Sequence, residues 1–257
     1  MDVVYAFILG IVEGVSEFLP ISSTGHLILA QKLLGVPATE FWKSFDIAIQ
    51  LGAILAILVL YGKRFVVEHK LIWYILVAFV PTAVIGLVVY PFVKQVLLGS
   101  TLVVIISLFL GGIGIIMFEW WYARRIAAKP LEVSAITLQQ ALLIGVAQGV
   151  AVIPGVSRSA ATIVGGLALG VDRRTITEFS FLLAVPTMAA ATGLDLLKTG
   201  FNFSDHEYLL LMTGFVAAFG VALITVRWFT SFVASHTFAA FGWYRVILVA
   251  LWLAYMY

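Results

Sequence analysis

The chain has 257 residues, 63% of them hydrophobic and only 11% charged, with a net charge of +2. Soluble domains carry about a quarter charged residues, so a soluble fold is excluded, and the small net charge argues against a nucleic-acid partner. There is no cysteine, which removes disulfides, thiolate metal sites and cysteine nucleophiles.

The chain opens with "MDVVYAFILG", which lacks the basic stretch of a cleaved signal peptide and reads as part of the mature protein. Residues 3–35 are apolar but interrupted at 13–27 by "EGVSEFLPISSTGHL". Three unbroken apolar stretches follow at 43–61, 71–90 and 100–122. A second interrupted region, 136–170, carries "PGVSRSAAT", and three more stretches follow at 175–198, 207–229 and 237–257. Each unbroken stretch approaches the roughly 20 residues that a helix needs to cross a bilayer. The expected fold is therefore an all-α polytopic membrane protein with six transmembrane helices. Each interrupted region predicts two short helices forming a re-entrant hairpin.

The two interrupted regions resemble each other. Gly10 aligns with Gly145, Gly14 with Gly149, Pro20 with Pro154 and Ser23 with Ser157 if Leu19 is an insertion. Each is followed by three spans, an odd number, so the second copy is expected to be inverted: one membrane domain over 1–257, with repeat one about 1–123 and repeat two about 136–257. Lys63, Arg64, Lys70, Arg124, Arg125, Lys129, Arg173, Arg174 and Arg227 fall on one side; Lys32, Lys43, Lys94 and Lys198 fall on the other. The richer side is expected to be cytoplasmic, with both termini outside.

Glu13 and Glu17 are four apart and share a helix face. The helix is expected to run to Phe18 and end at Pro20. A second should begin near Ser22, capped by Ser22 or Ser23, with Ser23 and His26 on one face. Its first amides suit an anion, phosphate above all. In the second region Gly155 allows close backbone approach, Ser157 or Ser159 can cap, and Arg158 offers a planar fork of donors for phosphate oxygens. Two amide-rich helix starts and one arginine describe a cradle for a diphosphate. Carboxylates repel phosphates unless protonated or bridged by a divalent cation, so Glu13 or Glu17 could ligate Mg²⁺ or Ca²⁺. Alternatively, one glutamate is a general base on a serine or on water.

Other residues point to structural roles. Arg245 lies mid-span, with Asp195 or Glu178 as expected partners. Asp46, with Gln50, is expected to support its span. Trp120, Trp121 and Tyr122 read as an interfacial belt beside Arg124 and Arg125, and Pro81 and Pro186 as kinks.

Together, "EGVSEFLPISSTGHL" and "PGVSRSAAT" closely resemble the signatures of the undecaprenyl-diphosphate phosphatase family, also called bacitracin resistance proteins. "SFDIAIQLGAILA" and "EFSFLLAVPTMAAATGLDL" are similar to further segments, so the resemblance covers nearly the whole chain. It implies a bacterial plasma (inner) membrane hydrolase, open to the outer, periplasmic face. Such an enzyme converts undecaprenyl diphosphate to undecaprenyl phosphate and inorganic phosphate, recycling the C55 carrier lipid of peptidoglycan synthesis and conferring bacitracin resistance. It implies a divalent cation at the acidic pair Glu13 and Glu17. Ser23 and His26 join that pair as catalytic groups, and Arg158, flanked by Ser157 and Thr162, binds phosphate. Ser22, Thr24, Gly155 and Ser159 complete the expected diphosphate cradle. Whether serine, histidine or water attacks phosphorus stays open, with Ser23 favoured because Glu17 or His26 can activate it. The loops at 62–70 and 124–135 look short for the family. A transporter or flippase for a phosphate-bearing lipid is the alternative, and a homodimer is a possible assembly.

Overall fold

The computed structural model describes residues 1–92, 97, 100–128, 136–199 and 203–256. Lys94, Lys129 and the side chains of Arg125, Asp195 and Lys198 lie outside the described residues, as does most of the loop 124–135. Among the described residues all regular structure is helical: α1 (Asp2–Ser16), α2 (Ser23–Leu34), α3 (Glu40–Val67), α4 (His69–Phe92), α5 (Thr101–Ala128), α6 (Leu138–Gly149), α7 (Arg158–Ala168), α8 (Arg173–Thr199), α9 (Asp205–Val233) and α10 (Ala239–Met256). Six of these, α3–α5 and α8–α10, are long and apolar enough to cross a membrane, matching the six expected spans. The connection after the first span is almost nothing, because only Glu68 separates α3 from α4.

Local chemistry sets the helix starts. Thr39 caps α3 through the Trp42 amide, while Thr137 with Gln140 and Ser204 with Glu207 close capping boxes on α6 and α9. Regular helix in α1 ends at Ser16, two residues short of the expected Phe18, although the Glu17 N–H still reaches the Glu13 carbonyl at 2.9 Å. Pro20 leaves no room for a further helical turn ahead of it. The second break contains a short 3₁₀ turn, Val150–Val152, and then Pro154–Gly155. Helix α8 continues through Pro186.

The second helix of each broken segment starts at a serine cap and ends at a left-handed glycine. The caps are Ser22 for α2 and Ser157 for α7. The left-handed glycines that end these helices are Gly35 and Gly170. Both pairs keep the separation of Gly10 from Gly145 and of Gly14 from Gly149, a constant spacing that sets Ser22 against Ser157 with no insertion at Leu19. Helix caps fix register more sharply than Gly and Pro matches between apolar segments.

These glycines are the contact points of the bundle. Helix α1 packs on α9, where a Cβ at Gly14 would lie 2.7 Å from the Ala218 carbonyl and one at Gly10 would overlap Gly214. Helix α6 packs on α4, where a Cβ at Gly145 would overlap the Ala78 backbone and one at Gly149 would overlap Ile85. Small residues let helix backbones meet closely in apolar surroundings, where dispersion and polar contacts drive association. Phe18, Phe179, Phe181 and Phe229 fill the centre, with Phe18 edge-on to Phe181 at 5.2 Å. Large apolar side chains such as Val84, Leu87, Val88, Val216 and Ile224 face outward, as a lipid-facing surface requires.

Several charges near the helix ends are paired. Arg173 makes two 2.5 Å hydrogen bonds to the buried Glu119, which also accepts the Phe238 amide. Arg64 and Arg174 both bond Glu178, so Glu178 is not the partner of Arg245. Trp120 and Trp121 are exposed and Arg124 covers Trp120, as expected of a belt. Tyr122 instead is buried, stacked on Phe118 beneath Arg173. One further helical step turns it off the lipid-facing side.

The crossings carry a prediction. Gly145→Val should lower the thermal midpoint in detergent, through an overpacking cost of about 1–3 kcal/mol. Gly114→Ala, inside α5 where a new methyl meets no atom within 4 Å, should hold it or raise it slightly, since alanine suits a helix interior better than glycine.

Candidate active site

The breaks bring two turns together. Ser159 Oγ donates to the Leu19 carbonyl at 2.7 Å, and Ser157 Oγ donates to Ser159 Oγ at 2.9 Å while capping Ala160. The serines of the second segment thus fasten the backbone of the first. Gly155, with φ of 89°, crosses α5 so closely that a Cβ would lie 2.8 Å from the Val104 carbonyl. Its own carbonyl accepts Arg245 Nη2 at 2.6 Å. The close approach expected at Gly155 is therefore to a helix. Arg245, fully buried, reaches this peptide carbonyl because Gly111 leaves room for its guanidinium; of its two expected partners Glu178 is engaged elsewhere, and the side chain of Asp195 lies outside the described residues.

At the junction lies a buried pair. Arg158 Nη2 donates to Glu17 Oε1 at 2.8 Å, and Arg158 Nη1 donates to the Ser180 carbonyl at 2.9 Å. The second Glu17 oxygen, Oε2, accepts Ser23 Oγ–H at 2.5 Å. Glu17 thus holds a serine proton on one oxygen and a guanidinium on the other. Arg158 Nε is buried with no partner, leaving a donor unused. A cavity of about 80 Å³ opens against these groups, lined by Glu17, Ser22, Ser23, Thr24, Ser157 and Arg158 with Val156 and Met188. Drug-sized ligands occupy about 300 Å³ or more, so this space suits a phosphate-sized head group, not a lipid tail.

Ser22 sits at φ of 72°, the left-handed region, alone among non-glycine described residues. Such strain costs about 1–3 kcal/mol and gathers at functional sites. It is held by His26, whose Nδ1 lies 2.8 Å from the Ser22 carbonyl. A carbonyl only accepts, so Nδ1 carries hydrogen, while Nε2 faces the Tyr244 hydroxyl at 2.8 Å. Ser23 and His26 therefore diverge, one toward Glu17 and the other toward α10. Three residues turn a helix about 300°, not a full circle. Thr162 lies behind the cavity, its hydroxyl on the Arg158 and Ser159 carbonyls and on Ser180. Asp46 accepts from Gln31 Nε2 of α2 at 2.7 Å, a tie between helices that fits its expected supporting role. Sequence reasoning missed Ser180 and Tyr244, which lie in spans with no polar pattern to mark them.

Glu13 is fully buried beside Glu17, and neither of its oxygens meets a hydrogen-bond partner in good geometry. Two unclaimed oxygens suit a hard divalent cation. The oxygens of Glu17 are already taken, so of the two glutamates Glu13 is the one free to hold a cation. Among the described residues no group of three or more acidic or histidine side chains converges, so further ligands would come from a bound phosphate and water.

The fold and the site together define a polytopic helical membrane protein with a serine hydroxyl held on a buried carboxylate and a buried arginine beside a phosphate-sized cavity. The family described as "Bacitracin resistance protein BacA" matches residues 6–251, and the chain belongs to that family. Relatives named undecaprenyl-diphosphatase include those of Aquifex aeolicus (49% identical, 97% of each chain covered) and Thermus thermophilus (50% identical, covering 96% of this chain and 95% of the relative). The Persephonella marina protein of that name is 45% identical over the full length of both chains.

Removing one member of a buried ion pair strands the other, at a cost of about 3–5 kcal/mol. Arg158→Ala should therefore melt well below the parent. Glu13→Gln, which breaks no hydrogen bond, should melt at or above it; differential scanning fluorimetry in detergent reads both.

Proposed function

We propose that this protein hydrolyses undecaprenyl diphosphate to undecaprenyl phosphate and inorganic phosphate in the bacterial plasma membrane, with its site open to the outer face. This would recycle the carrier lipid of peptidoglycan synthesis and confer bacitracin resistance. The family membership and the names of its relatives support the reaction. The observation that carries it to this chain is the 2.5 Å hydrogen bond from Ser23 to Glu17 beside Arg158. A transport or flipping site needs no hydroxyl held on a base, and this favours hydrolysis over transport.

In the proposed mechanism the diphosphate enters the cavity with its terminal phosphate against Ser23. The free Arg158 Nε–H and the first amides of α2 and α7 receive the phosphate oxygens. Ser23 Oγ attacks phosphorus, and its proton passes to Glu17 Oε2. The bond to the bridging oxygen breaks, and undecaprenyl phosphate leaves with that oxygen and the proton from Glu17. Water then attacks the phosphoserine, giving a proton to Glu17. That proton returns to Ser23 Oγ as inorganic phosphate departs. Mg²⁺ or Ca²⁺, held by Glu13 with support from Glu17, would neutralise phosphate charge when bound. His26, expected to be catalytic, is proposed to act by holding Ser22 in its strained conformation. Ser157 and Ser159 keep the two turns joined, and Ser22 and Thr24 line the head-group space. Every side chain of this proposed site comes from one chain, so a homodimer, if formed, is not needed for the chemistry.

The broken helix pairs are proposed to be re-entrant hairpins of two inverted repeats, 1–123 and 136–257. The reciprocal packing of α1 on α9 and of α6 on α4, through glycines in matching positions, supports this. Gln148 occupies in the second segment the place of Glu13 in the first, and its amide bonds Thr82 and Thr187. The acid chemistry would then sit in one repeat only.

Purified protein should release inorganic phosphate from a polyprenyl diphosphate, and a chelator should stop release until Mg²⁺ or Ca²⁺ is restored. Ser23→Ala and Glu17→Gln should each lower kcat by about 10²–10⁴-fold or more, the usual scale for losing base-assisted attack. Full activity in folded Ser23→Ala would transfer the attack to water or His26. Because the chain has no cysteine, Glu40→Cys should react with an impermeant thiol reagent from outside intact cells and Lys63→Cys should not; the reverse pattern inverts the orientation.

A further inference from the structure

Arg158 is held by more than its ion pair. Nη1 donates to the Ser180 carbonyl at 2.9 Å and lies 3.3 Å from Ser180 Oγ. Ser180 Oγ is 2.6 Å from Thr162 Oγ1, and Thr162 Oγ1 lies 3.1 Å from the carbonyls of both Arg158 and Ser159. Carbonyls only accept, so the Thr162 proton points at the backbone of α7. Ser180 must then supply the hydrogen between the two hydroxyls, and its lone pair faces the guanidinium. The directions form a closed loop: Arg158 Nη1–H to Ser180 Oγ, Ser180 O–H to Thr162 Oγ1, and Thr162 O–H back to the first turn of the helix that carries Arg158. Thr162 and Ser180 are both fully buried, and neither lines the head-group cavity.

We infer that Ser180, with Thr162 behind it, is a positioning residue for Arg158: the loop orients the guanidinium so that Nε stays free for a phosphate oxygen while Nη2 holds Glu17. The inference rests on the proposed phosphatase reading and deepens it. It gives Thr162, expected to touch the diphosphate, a role exerted through the arginine. Without the loop the guanidinium is tied by Glu17 and one carbonyl only, and it can rotate to offer Nε to Glu17 in place of the substrate.

The test is steady-state phosphate release from a polyprenyl diphosphate by detergent-purified full-length variants, with folding checked by thermal melting. Ser180→Ala and Thr162→Val should each raise KM about tenfold, the worth of one hydrogen bond at a charged group, with a much smaller change in kcat. Ser180→Thr, which keeps the hydroxyl, should restore KM. In an Arg158→Lys background, where no fork remains to be oriented, Ser180→Ala should add nothing. A parental KM in Ser180→Ala, or an equal KM penalty in the Arg158→Lys background, would overturn the inference. If instead the parent protein releases no phosphate from any polyprenyl diphosphate, the phosphatase reading itself fails.

Discussion

The structure depends on one constraint: a carboxylate and a guanidinium kept out of water must satisfy each other. Glu17 and Arg158 come from different broken segments, 141 positions apart, and meet at 2.8 Å with side chains 2% and 8% exposed. Neither charge is tolerable there alone. The two turns must therefore close on one another, and the serine contacts to the Leu19 carbonyl hold that closure. The glycine crossings of α1 on α9 and α6 on α4 let the short helices sit deep enough for the turns to meet.

That closure also accounts for the division of labour among the polar groups. Glu17 has one oxygen on Ser23 and the other on Arg158, the orientation that the proposed proton transfer from the serine requires. Glu13 is left with both oxygens unclaimed, which is what a cation site shared with a ligand calls for. Around this centre stands an outer ring of groups that do not line the head-group cavity. Ser180 and Thr162 brace the arginine, His26 and Tyr244 brace Ser22, and Arg245 braces the Gly155 turn. Adjacent residues of α10 thus hold one turn each, so the last helix couples the two halves of the site.

Much of this was legible in the sequence, and the reasons are specific. The six spans could be read because their length is set by the bilayer, not by neighbours. The breaks could be read because Pro20 and Pro154 remove backbone donors within apolar stretches. Glu13, Glu17, Ser23 and Arg158 stood out because ionisable and hydroxyl groups are rare in such segments. The misses share one cause. Glu178 as a partner for Arg245 and a belt position for Tyr122 came from sequence proximity or general habit, and no pattern pointed to Gln31 beside Asp46, because such neighbours are chosen by helix packing. Arg245 takes a carbonyl that a glycine exposes, Asp46 takes Gln31 from another helix, and Tyr122 turns inward under Arg173.

By itself the sequence determined the class, the number of spans and the chemical identity of the polar centre, because each follows from composition and local stereochemistry. Tertiary structure alone decided which oxygen of Glu17 meets which donor, that His26 turns from Ser23 to Tyr244, and that Thr162 and Ser180 stand behind the arginine. Those choices depend on side-chain directions across helices far apart in the chain. Only the packed bundle fixes such directions.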